Sequence, residues 1–191
     1  MTIWAVLAGG KGSRYGQPKA NASFGETTFL GHCLSILEEA IRPGDTVAVS
    51  VALQWKPDVP PHCVVIADEL NAPGPAHSIG CLAKFAAERN EDLVFMAVDM
   101  LGVTPATLRL LRDRAEASVQ GNRATVLVAT TNERSHWVLG AIPAPLAPTI
   151  VANADSVTAV QVLLQLCPME PVEIPGPELL DVNTPELRPD R

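Results

Sequence analysis

Between Gly9 and Lys19 the chain reads GGKGSRYGQPK, directly after the apolar run Ile3–Ala8. Glycines let backbone N–H groups turn toward an anion without obstruction from a side chain. Arg14 and Lys19 add positive charge, the first as a planar fork and the second as a compact point charge. The chemistry this combination fits is the binding of phosphate oxygens, although a glycine-rich turn can also do no more than connect two elements. Two familiar phosphate motifs fail here. G-x-x-x-x-G-K-[ST] has no register, and G-x-G-x-x-G begins at Gly10 and Gly12 but meets Tyr15 where its third glycine belongs.

Carboxylates follow at the ends of later apolar runs. Asp99 closes the run 93–98 and Asp68 closes the run 63–67. Open α/β sheets bind ligands at the carboxyl ends of their strands. A carboxylate there is a hard oxygen ligand, suited to Mg²⁺ held jointly with substrate phosphates. The alternatives are that Asp99 caps the loop it opens and that Asp68 belongs to a polar turn. Near the C-terminus, Asp181 and Asn183 precede Thr184-Pro185, a pair that can also start a helix. The four histidines show neither metal-ligand spacing nor a nucleophile partner.

The run L-A-G-G-x-x-S-R-x-G-x-x-K resembles the N-terminal signature of nucleotidyltransferases that activate a phosphate with an NTP. Within them it most resembles the molybdenum cofactor guanylyltransferases (MobA-like proteins). Further segments carry the resemblance along the chain: Phe24-Gly25, Thr28-Phe29-Leu30 with His32, Asp68 before Gly74-Pro75, Asp99-Met100, and Asp181–Leu187. The resemblance implies a Rossmann-like three-layer α/β sandwich with a mostly parallel sheet, of the nucleotide-diphospho-sugar transferase type. It implies transfer of GMP from GTP to molybdopterin with release of pyrophosphate and dependence on Mg²⁺. Partners implied are GTP, molybdopterin or another phosphate-bearing acceptor, and molybdoenzyme maturation proteins.

The same resemblance assigns roles to residues. Leu7, Ala8, Gly9, Gly10, Lys19, Ser50, Asp68 and Asp99 would line the nucleotide, Asp68 near the guanine. Asp99 would bind the metal, and Arg14, Lys19 and Asp99 would carry catalysis. His136, read as lying before a strand, and Asn183 would stand on the acceptor side; a core or surface histidine and a helix cap are the plainer readings.

Three positions depart from the family pattern. Ser50 stands where the family often has Asn, Ser78 where its G-P-L-A-G turn has the second glycine, and Leu101-Gly102 where proline follows the aspartate. A cytidylyl- or sugar-phosphate nucleotidyltransferase of the same fold is therefore an alternative, as is a non-catalytic nucleotide-binding member. Gly9-Gly10 favours the guanylyl branch over the L-A-A-G of the cytidylyl relatives.

These residues need a scaffold, and the pattern around them supplies one. Apolar runs at 47–53, 63–67, 93–98 and 126–129 join the first as strands buried on both faces. Between them, residues 28–41 and 76–89 carry apolar stripes at helical spacing. Thr104-Pro105 is an N-cap followed by a first-turn proline, and Asp155-Ser156 is a second candidate cap. Alternating strands and helices predict an α/β fold with a mostly parallel sheet. The last 49 residues hold nine of the 17 prolines and read as loop-rich with short elements. A single domain over residues 1–191 is expected.

Composition limits the partners. With 47% apolar and 18% charged residues the chain is globular, and its net charge of −7 excludes a nucleic-acid surface. No run reaches the ~20 apolar residues of a membrane span. The four cysteines have no paired spacing, so reduced thiols and a cytoplasmic location are expected.

Overall fold

The computed structural model of the protein describes residues 1–9, 18–52, 55–68, 74–132 and 134–179. Nine strands are found there: β1 (Thr2–Leu7), β2 (Ser23–Phe24), β3 (Thr27–Thr28), β4 (Thr46–Ala52), β5 (Val64–Asp68), β6 (Asp92–Ala97), β7 (Val126–Thr130), β8 (Ser135–Ile142) and β9 (Met169–Glu173). The helices are α1 (Phe29–Ala40), α2 (Pro75–Arg89), α3 (Pro105–Gln120), α4 (Ala147–Asn153) and α5 (Val160–Leu164).

Seven strands form one sheet in the order β5-β4-β1-β6-β8-β7-β9, and β2 and β3 make a separate hairpin. The first four sheet strands are parallel; β8 runs antiparallel to both β6 and β7, and β9 returns parallel to β7. The expected three-layer sandwich is what forms, because the central strand is apolar on both sides. Trp4 and Val6 of the first strand, with Ala8 just after it, face the layer of α1 and α3, while Ile3, Ala5 and Leu7 face α2, α4 and α5. A two-residue side-chain period thus feeds two cores from one six-residue strand.

Helix starts follow their caps. Thr28 accepts the Gly31 N–H at 3.0 Å before α1, and Thr104 accepts the Thr107 N–H at 3.3 Å before α3. Each satisfies one of the orphan N–H groups of a first turn.

The proline-rich end after residue 142 carries only short elements, α4, α5 and the five-residue β9, of which α4 has no helical signal in the sequence reading. Asp155-Ser156 caps no helix: α5 begins at Val160 after Ala159, with no side-chain cap. Ser156 Oγ donates to the Asn153 carbonyl at 3.0 Å and so closes the end of α4, and the Asp155 carboxylate turns to His77. His136 lies within β8 and is buried, so it does not precede a strand.

Candidate active site

Strand β1 is joined through α1 to β4 on one side, and the chain later crosses back through α2 to β6 on the other. The sheet therefore reverses its winding between β1 and β6, which is where ligands bind in open α/β sheets. Leu7 is paired with Ser50 of β4 and with Ala97 of β6, so the glycine-rich loop leaves the sheet between those two neighbours. The Ala8 N–H donates to the Ser50 carbonyl at 2.8 Å, and the Val98 N–H to the Leu7 carbonyl at 3.2 Å. Both neighbouring strand ends are thus fixed to the root of the loop.

On the β6 side, a 3₁₀ turn at Lys19–Asn21 carries the lysine to Asp99. Lys19 Nζ stands 2.6 Å from Asp99 Oδ2, with side chains 13% and 19% exposed. Such a pair, partly withdrawn from water, is a stronger electrostatic contact than one on the open surface. The turn after Asp99 is held from behind by α1: His32 Nε2 lies 3.0 Å from the Leu101 carbonyl.

The β5 side holds a second carboxylate. Ser50 Oγ donates to Asp68 Oδ1 at 2.5 Å and Ser78 Oγ donates to Oδ2 at 2.6 Å. Ser50 is the third residue from the end of β4, and Ser78 lies in the first turn of α2, so a strand and a helix hold the carboxylate between them. Gly9 closes the group from above. A Cβ on Gly9 would meet Asp68 Oδ2 at 2.7 Å, so any other residue here would push the carboxylate from its place between the two serines.

Of the residues picked out by the sequence, Leu7, Ala8, Gly9, Lys19, Ser50, Asp68 and Asp99 therefore gather at one edge of the sheet. His136 is at the same edge, since β8 runs antiparallel to β6 and begins beyond its end. It is 6% exposed, and Arg134 Nε donates to its Nε2 at 3.3 Å. That placement matches the plainer reading of a core histidine. Gly10, Arg14, Asp181 and Asn183 lie outside the described residues.

Sequence reasoning missed two contributors. Ser78 enters the sequence reading only as a lost glycine, because ten residues separate it from Asp68 and no local pattern joins them. Glu178, in the 3₁₀ turn Gly176–Leu179, joins its carboxylate to the hydroxyls of Thr104 and Thr107 at the start of α3. It docks the C-terminal segment beside the loop that follows Asp99. Among the described residues, no group of three or more His, Cys, Asp or Glu could hold a metal alone. A single strand-end carboxylate nevertheless fits the way Mg²⁺ is held, by one or two carboxylates plus substrate phosphates.

Solved structures share this architecture. Molybdopterin-guanine dinucleotide biosynthesis protein A from Archaeoglobus fulgidus superimposes with a TM-score of 0.70 at 16% identity, over 97% of this chain and 94% of that one. A Mycobacterium tuberculosis protein in complex with manganese gives 0.64 at 19% identity, over 97% and 94%. A 4-diphosphocytidyl-2C-methyl-D-erythritol synthase gives 0.70 at 13%, with the same coverage. At these identities the likeness is one of fold. Among curated proteins, a probable molybdenum cofactor guanylyltransferase from Bacillus cereus is 48% identical over 44 residues, and the chain spans about a fifth (22%) of that relative's length. Residues 4–169 match the family model of the MobA-like NTP transferase domain, and the chain belongs to that family.

Proposed function

We propose that the protein transfers GMP from GTP to molybdopterin, releasing pyrophosphate. The observation that carries this reading is the Lys19–Asp99 pair beside the glycine loop at the sheet's reversal point. Nucleotidyl transfer asks little covalent chemistry of a protein. Positioning and charge stabilisation dominate, as in other phosphoryl transfers. Lys19, with Arg14 and the loop N–H groups, holds the β- and γ-phosphates and neutralises the leaving pyrophosphate. The acceptor phosphate is already ionised near neutral pH (second pKa ~6), so no general base is needed. Asp99 would hold Mg²⁺, which supplies charge neutralisation across the phosphate oxygens when bound.

Base choice is supported by Asp68. Both serine hydroxyl protons are committed to its carboxylate and both serines are buried, so the group left for a ligand is the Asp68 carboxylate with its remaining lone pairs. The cluster as a whole is acceptor-rich, and guanine presents two adjacent donors, N1–H and N2–H. The pairing edges of adenine, cytosine and uracil each oppose an acceptor to such a surface and leave it unpaired. Serine in place of the family's asparagine thus keeps a guanine-reading surface by a different route.

The test is pyrophosphate release with molybdopterin, Mg²⁺ and each of the four NTPs in turn. GTP is expected to turn over fastest, and Asp99→Ala to abolish release while leaving the fold intact. Faster use of CTP would favour the cytidylyl alternative. Nucleotide binding without turnover on any acceptor would mark a non-catalytic member.

A further inference from the structure

A second group of reactive side chains lies outside this site. His77 and Cys81 are four residues apart on α2, so they share one stripe of the helix. His77 Nε2 stands 3.6 Å from Cys81 Sγ. The other ring nitrogen, Nδ1, lies 3.2 Å from Asp155 Oδ1, on the turn that follows α4. The imidazole is thus placed between a thiol and a carboxylate, with its side chain only 8% exposed. The carboxylate lies near Nδ1 but off the axis of a ring N–H bond, and no described acceptor is aligned with this buried nitrogen. The Asp155 side chain is 87% exposed, which leaves it room to turn toward the ring. The three groups are strung in a row with the ring in the middle, and they form no metal-binding group.

The other three cysteines are built differently. Burial pushes the thiols of Cys33, Cys63 and Cys167 up from their ordinary value, with Asp99 adding to the effect at Cys33 and Glu38 at Cys63. Cys33 also donates to the Val98 carbonyl at 3.4 Å. These three are thiols held in the protonated state. Cys81 is half-buried and has a base within reach of its proton. A nucleophile, a base and a group that orients the base is the arrangement that activates thiols and hydroxyls generally.

We propose that Cys81 is an activated thiol that exchanges with low-molecular-weight disulfides, with His77 as its base and Asp155 orienting the ring. In the step, the Cys81 S–H proton passes to His77 Nε2 and the thiolate attacks one sulfur of the disulfide RS–SR. A new Cys81–S–S–R bond forms as the old S–S bond breaks. The leaving RS⁻ takes the proton from His77 and departs as RSH, so Cys81 is oxidised and half of the reagent is reduced. The adduct stands one helical turn from Ser78, whose hydroxyl holds Asp68.

The experiment is reaction of the native protein with 5,5′-dithiobis(2-nitrobenzoate), following thiolate release and locating the adduct by peptide mass mapping. One fast equivalent is expected, on Cys81 and absent from Cys81→Ser. His77→Asn should slow it by about tenfold or more, since a positioned base contributes at least that much. Because His77 is buried, its replacement can disturb α2; Asp155→Asn changes an exposed side chain and should slow the same equivalent several-fold with an unchanged melting temperature. A fast adduct on Cys63 in place of Cys81 would overturn the assignment. So would an undiminished rate in Asp155→Asn, or in His77→Asn with its fold intact.

Discussion

Ser50 and Ser78 are two of the positions where the sequence leaves its family's pattern, and both donate to the same carboxylate. The asparagine and glycine they replace could not make this pair of bonds, so the departures act together. Asp68 is the point on which the reading of the base turns. Asp68→Asn exchanges an acceptor oxygen for an N–H donor that opposes N1–H of guanine. A hydrogen bond to a charged group is worth about 1.5–3 kcal/mol, so kcat/KM for GTP should fall about 10- to 100-fold. XTP, which carries an oxygen in place of the 2-amino group, should lose less or gain. If GTP and XTP fall together, Asp68 does not read the base. At this scale Asp68 and Asp99 stood out in the sequence because each closes an apolar run, and Ser50 because it stands where the resembling family often has Asn. Ser78 was not, since ten residues and a helix start separate it from its partner.

The elements that carry these residues were legible wherever periodicity was strong. All five apolar runs became strands, and the two helical stripes became α1 and α2 to within a residue or two. β8 and the proline-rich end that follows it were less so, for two reasons. β8 and β9 have mixed patterns, because β8 carries an irregularity in its pairing with β7 and β9 is an edge strand with Pro171 inside it. The 3₁₀ turn Gly176–Leu179 is held by tertiary contact with the start of α3, a cause that no local pattern records. Gly102 explains part of that contact. A Cβ there would meet the Pro177 carbonyl oxygen at 2.6 Å and Glu178 Cα at 3.2 Å, both of them backbone. Gly102→Ala should therefore push the 176–179 segment off its seat. Overpacking of this kind costs about 1–3 kcal/mol, and each kcal/mol lowers Tm by about 2–4 °C in a chain of this size. An unchanged Tm by calorimetry would mean that the segment moves without cost and docks nothing.

Over the whole molecule, carboxylates do different work at the two ends of the sheet. Residues 1–25 contain no acidic side chain and three basic ones, so the segment that follows β1 is a positive stretch of an acidic chain. At the amino edge, carboxylates do structural work. Asp45 accepts from the Thr2 N–H, from Trp4 Nε1 and from the Arg42 N–H, each at 2.9 Å. Asp92, at the start of β6, accepts the Ala144 N–H at 2.7 Å and so ties β6 to the end of β8. Burial raises the carboxyl of Asp92 above its ordinary value and Glu116 adds to the rise, while the Ala144 N–H and the N-terminus oppose it. The sign of the consequence follows from linkage. As pH rises through the ordinary carboxyl value, the unfolded chain ionises first and the folded state is penalised; above the raised value the penalty is complete. Asp92→Asn keeps an oxygen for the Ala144 N–H and removes the charge. It should melt higher than the parent at pH 7, and the advantage should fade as pH falls toward the ordinary carboxyl range. Turnover should be unaffected, because Asp92 stands at the opposite end of β6 from Asp99. A gain in Tm that is equal at pH 4 and pH 7 would show that packing, not ionisation, separates the two proteins.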